Sequence, residues 1–161
     1  DGEVDSIVIA GMGGELVIHI LTAGETVCRS AKELILQPQS EVSKVREYVR
    51  NTGYKIVDED MILEDGKYYP MFRCVPCADN SAWDNMDETT DLYGPVLIKN
   101  GNPVLRKFLV REHHKLAAIM QQLRTQEMSD SIMDRIEQIN EMMAYNEAAY
   151  STMGAIRNAG I

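Results

Sequence analysis

Three glycines in four residues, Gly11-Met12-Gly13-Gly14, follow a short β-branched apolar run, Ser6 to Ala10. A helical pattern, Glu15 to Ala23, comes next. Main chain without Cβ atoms lets a ligand approach closely. A bend at the C-terminal end of a buried parallel strand is where α/β sheets bind ligands. The helix that follows adds N–H donors and partial positive charge. The bend is no dinucleotide fingerprint, since Gly-x-Gly-Gly-Glu lacks the third glycine and no ribose-binding acid follows at the right distance. It is no P-loop either, because no Gly-Lys-Ser/Thr follows. The residues alone leave two readings open, a ligand site and a tight packing turn. Gln37-Pro38 ends the next apolar run, Glu33 to Gln37, and is expected beside the glycine bend at the same sheet edge. A glutamine amide both donates and accepts, which suits a base or a cofactor. A polar strand end stopped by proline is the plainer alternative.

A second group is cationic. Lys99, Arg106, Lys107, Arg111 and Lys115 share a stretch with one acid, Glu112, and with His113 and His114. The whole chain has 161 residues and a net charge of −9, which argues against nucleic acid taken alone. A local cationic face binds phosphates even where the average charge repels them; a solvated helix face is the bland reading. Other groups carry less. Cys74-Val-Pro-Cys77 has CxxC spacing but no second pair, so no metal is expected. With Cys28 the cysteine count is odd, which fits a reducing cytosol better than a secreted disulfide framework. His19 reads as a packed or solvent-tipped histidine. Asp58, Glu59 and Asp60 read as solvated charge. No apolar run approaches the ~20 residues a membrane helix needs, so no membrane partner is expected.

These groups need a scaffold. Apolar spacing predicts strands at Ser6–Ala10, Glu33–Gln37, Tyr54–Leu63 and Lys67–Val75, with helices between the first three. Gly24 suits a helix stop, and Ser40 suits the cap of a helix that buries Val42, Val45, Tyr48 and Val49. Asp65-Gly66 predicts a type I′ hairpin turn. The order predicts an α/β fold whose sheet is mainly parallel with a terminal antiparallel edge. Cys77 to Asp91, with Trp83, reads as a polar loop.

Asn102-Pro103 then opens a long helix. Leu105, Leu109, Glu112, Leu116, Ile119 and Leu123 follow 4-3-4-3-4 spacing, and Ile132, Ile136, Ile139, Met143, Asn146 and Tyr150 repeat it. Two such stripes predict an antiparallel helical hairpin, with Glu112 facing Asn146 to fix register. The expected domains are 1–98 and 99–161.

The ordered set Ile7 to Gly14, Leu34 to Pro38, Val45-Arg46, Asn51 to Tyr54 and Glu64 to Tyr69 resembles the bacterial tRNA adenine-N1 methyltransferases that modify adenine 22. The helical hairpin is similar to that family's coiled-coil domain. The resemblance implies a partial Rossmann-like class I methyltransferase sheet, S-adenosyl-L-methionine (SAM) as cofactor, tRNA as partner and a cytoplasmic location. It maps the chain onto strands four to seven plus the tail, so about 70 further N-terminal residues are expected in an intact protein. Ala10, Gly11 and Met12 would then touch SAM. Gly11, Met12, Gly13 and Gly14 would hold the target adenine. Gln37 and Pro38 would line the base pocket, and Lys99, Arg106, Lys107, Arg111 and Lys115 would anchor tRNA. Met12→Trp or Gly13→Val is expected to block base access without harming the fold. A class I methyltransferase with another substrate, or a non-catalytic RNA-binding or helix-pairing module, is the alternative.

Overall fold

The structure, a computed structural model, describes residues 4–78 and 86–158, and of residues 156–158 the backbone alone. Trp83 lies outside the described residues. The elements run β1 Ser6–Met12, α1 Gly14–Ala23, α2 Glu25–Ser30, β2 Glu33–Pro38, α3 Val42–Asn51, β3 Tyr54–Glu64 and β4 Lys67–Pro76, then α4 Glu88–Tyr93, α5 Pro95–Lys99, α6 Pro103–Leu123 and α7 Asp130–Asn158. Contacts divide the chain into two units, Asp1–Leu97 and Ile98–Ile161.

The first unit is built on a four-stranded mixed sheet in the order β1-β2-β4-β3. β1 and β2 are parallel, with Ile7 opposite Leu34, Ile9 opposite Leu36 and Ala10 opposite Gln37. Asp65 and Gly66 turn the chain at φ 48° and 75°, the two positive values a I′ hairpin requires. β4 therefore returns along β3 and continues onto β2, where Leu34, Leu36 and Ile35 meet Cys74, Phe72 and Arg73. This corrects the expected topology: the reversed strand lies inside the sheet, not at its edge. β2 alternates, and its Leu34 and Leu36 are fully buried. They meet Val17 and Leu21 of α1, Val45 and Val49 of α3, and Ile56 and Phe72 of the hairpin. Val8, on the opposite face of β1, is 64% exposed.

Three local expectations change. Gly24 caps α1 at φ −99°, outside the left-handed region, and α2 starts at once. Ser40 does not cap α3. Glu41 holds that position at φ 50°, without a side-chain cap. The expected polar loop is helical at its end, because Asp87 forms a capping box with Thr90 and starts α4.

α3 also buries a charge. The Arg46 guanidinium is sealed from solvent and donates through Nε to Glu59 Oε1 at 2.9 Å. Its Nη1 donates to the carbonyls of Asp91 and Leu92, at 2.9 and 3.1 Å. Glu59 Oε2 accepts from the Val96 and Leu97 amides, at 2.8 and 3.3 Å. Glu59 thus belongs to a buried ion pair, and reading it as solvated charge is corrected. Removing one partner leaves the other buried and uncompensated. Nearby, burial pushes the Asp91 carboxyl above its usual range, and its contact with Arg50 only partly offsets this.

In the second unit Asn102 Oδ1 accepts from the Val104 and Leu105 amides at 2.9 and 3.0 Å, with Pro103 in the first turn. Leu116, Met120 and Leu123 pack with Ile139 into a core. Asn146 Nδ2 donates to the Leu109 carbonyl and to Glu112 Oε2, both at 3.0 Å, so the two polar breaks meet. Tyr150 departs from its expected core place. It is 40% exposed, and Ala149 and Met153 are buried instead.

Arg46→Met should lower unfolding free energy by about 3–5 kcal/mol, because Glu59 loses its cation. Urea denaturation reads this, and a loss below ~1 kcal/mol would contradict it. Asn146→Ala should cost about 1–3 kcal/mol by the same measurement, since the buried Leu109 carbonyl loses a donor.

Candidate active site

The ends of β1 and β2 are locked together by main chain and one side chain. The Gln39 amide donates to the Met12 carbonyl at 2.8 Å. The Gly11 amide donates to Gln37 Oε1 at 2.9 Å. Because Gly11 offers an N–H, the glutamine must present its oxygen there, so its Nε2 is committed to another direction. That Nε2 is buried and has no hydrogen-bond partner among the described residues. A buried donor left unmade carries a free-energy penalty, so a ligand acceptor placed there would relieve it.

The four residues of the bend divide into two pairs. Gly11 sits at φ +77°, a conformation that favours glycine, and a Cβ there would meet only Gln39 Nε2 at 4.0 Å. Ala10, Gly11 and Met12 are exposed. Gly14 is buried, and a Cβ on it would lie 2.6 Å from the Ser40 carbonyl oxygen and 2.9 Å from that of Glu41. On Gly13 it would lie 3.2 Å from Ser40 Oγ, which also accepts from the Gly14 amide at 3.4 Å. Gly13-Gly14 is thus a packing joint and Ala10-Gly11-Met12 an open rim. The packing-turn reading holds for Gly13-Gly14, and Ala10-Gly11-Met12 has the open main chain that a ligand would need.

This corrects the expectation for Gly13→Val, whose branched side chain would press on Ser40. Pro38 is buried opposite Met12, so Gln37 carries the polar chemistry of that strand end. Ser40 and Glu41, which brace the rim, were missed. A serine before a helix signals a cap, and only the fold shows it serving the neighbouring bend.

The expected cations fall out differently. Arg106, Lys107 and Arg111 line one cavity of about 810 Å³ in the second unit, with His114 and Tyr150. Lys99 and Lys115 are exposed and do not line that cavity. Cys74 is buried, and burial pushes its thiol up to about 12, so it stays protonated and a poor nucleophile near neutral pH. Among the described residues, no three His, Cys, Asp or Glu side chains are grouped to hold a metal ion.

The family model described as tRNA (adenine(22)-N(1))-methyltransferase matches residues 1–147. The tRNA (adenine(22)-N(1))-methyltransferase of Bacillus subtilis (strain 168) is 32% identical over 150 residues, covering 88% of this chain and 63% of that protein. The solved M1A22 tRNA methyltransferase of B. subtilis superposes with a TM-score of 0.79 at 30% identity, over 91% of this chain and 63% of its own. A protein of Listeria monocytogenes serotype 4b gives a TM-score of 0.83 at 27% identity, over 90% and 62%. Streptococcus pneumoniae Sp1610, solved in complex with S-adenosyl-L-methionine, gives 0.66 at 27%, over 86% and 60%. The chain spans about three-fifths of the length of these relatives.

Gly14→Ala should destabilise by about 1–3 kcal/mol, because its Cβ meets main chain that can move only with the β2–α3 loop. Met12→Ala, at an exposed position, should stay within ~0.5 kcal/mol of the parent in urea unfolding. Equal losses in the two variants would contradict the division of the bend.

Proposed function

The chain belongs to the tRNA (adenine(22)-N(1))-methyltransferase family, and from that premise we propose that it supplies the reactive rim and the tRNA-binding tail of a SAM-dependent enzyme. The reaction is methyl transfer to N1 of adenine 22 in tRNA, in the cytoplasm. Residues 1–98 form the C-terminal part of a Rossmann-like methyltransferase domain. Residues 99–161 form an antiparallel coiled-coil hairpin that holds the RNA.

The observation that carries this reading is the open rim beside an unpartnered donor. Main chain at Ala10, Gly11 and Met12 is exposed, and the buried Gln37 Nε2 lacks an acceptor among the described residues. A flat heteroaromatic ligand with ring nitrogens satisfies both. Ala10, Gly11 and Met12 would hold the methyl-bearing end of SAM. When bound, SAM supplies an electrophilic methyl group on a sulfonium.

The chain's own residues then have a small task. Adenine N1 keeps its lone pair in the neutral base, so attack needs no protein base. Gln37 Nε2 donates to a purine ring nitrogen other than N1, and its Oε1 keeps the Gly11 amide in place. Main-chain carbonyls of the rim accept from the N6 amino group. The product base is cationic, and these carbonyl dipoles face its developing charge. Orientation supplies most of the acceleration, which explains a site without a titrating catalytic side chain. The target base must leave its stack to reach the rim.

Methyl transfer to a tRNA transcript tests this in the full enzyme carrying this segment. Met12→Trp should cut turnover by about a hundred-fold by displacing the base, while the melting temperature stays at the parent value. Parent-like turnover in that variant would remove the rim from the reaction.

A further inference from the structure

Tyr150 is exposed in the C-terminal third of α7, and its ring is not bare. The Arg106 guanidinium carbon lies 5.0 Å from the ring centroid, within cation–π range. Two cavities, of about 810 and 430 Å³, share Val110, His114 and Tyr150 as a common wall. Lys107 and Arg111, four residues apart on one face of α6, line the first beside Arg106. The second cavity is bordered by Glu147, so the anion-accepting side is the first.

We propose that Tyr150, with the Arg106 guanidinium, is a stacking platform for one unpaired base of an RNA ligand, and that Lys107 and Arg111 hold the phosphates flanking that base. The proposal rests on the tRNA reading above and names what the tail recognises: an unstacked nucleotide, not duplex backbone alone. A ring and a guanidinium plane offer flat π surface to any base, while nearby cations track the backbone. An acidic peptide would use the cations and leave the ring unused. The chemistry therefore favours a nucleotide, which brings charge and a π face together.

Fluorescence anisotropy across a salt series tests this with the 161-residue chain. The probes are two labelled RNAs with equal numbers of phosphates, one a hairpin with an unpaired loop, the other fully paired. Tyr150→Leu should weaken loop-RNA binding about ten-fold and leave the duplex affinity and the salt slope unchanged. Tyr150→Phe should bind as the parent does, because it keeps the ring. Lys107→Ala should weaken binding to both RNAs and lower the salt slope by about one. Parent-like loop binding by Tyr150→Leu, or equal losses on both RNAs, would overturn the platform while the tRNA reading stands. Failure of the parent chain to bind either RNA at low salt, or tighter binding of an aspartate-rich peptide, would overturn both.

Discussion

The open rim at Ala10–Met12 depends on one close steric contact. Gly14 lies under the Ser40–Glu41 main chain at a distance that no Cβ tolerates. This contact pins the start of α1 beneath the β2–α3 loop. Glu41 adopts a left-handed conformation at φ 50°, which costs a non-glycine residue about 1–2 kcal/mol. With that joint closed, the Gly11 amide reaches Gln37 and the Met12 carbonyl reaches Gln39. The preceding main chain is left exposed but fixed. The orienting role proposed for this rim needs the combination, since an open loop without the joint would sample many geometries.

Electrostatics divides the labour along the chain. In the first unit the charges with structural consequence are internal, with Arg46 and Glu59 tying α3 and the hairpin to the chain around Asp91–Leu97. In the second unit α6 carries Arg106, Lys107, Arg111 and Lys115 against Glu112 alone, whereas Asp134, Glu137 and Glu141 of α7 border a separate cavity. A net charge of −9 therefore coexists with a cationic helix face. Local field, not average charge, decides whether phosphates are attracted at short range, because salt screens beyond about 10 Å.

Sequence patterns made most elements legible, since periods of two and of three to four residues are local signals. The four strands, the Asp65-Gly66 turn, the Asn102 cap and the Glu112–Asn146 meeting were all readable from spacing. The position of β4 was not, because a hairpin strand joins whichever neighbouring edge is free, and no local residue encodes that choice. No local pattern marks Arg46 as buried, because its partner Glu59, thirteen residues on, reaches it only in the fold. The glycine bend was recognised, but its division was hidden. Gly13 and Gly14 owe their identity to Ser40 and Glu41, which approach only after β1 and β2 pair. Tyr150 was misplaced in the hairpin core for a related reason: an a/d count does not register how a helix rolls toward Ala149 and Met153.

The most direct test is a crystal structure of the full enzyme with S-adenosylhomocysteine and a tRNA fragment carrying the target adenine. The account predicts the purine over Gly11–Met12, with Gln37 Nε2 within about 3 Å of a ring nitrogen other than N1. A purine bound away from that rim, with the Gln37 amide turned to solvent, would contradict it.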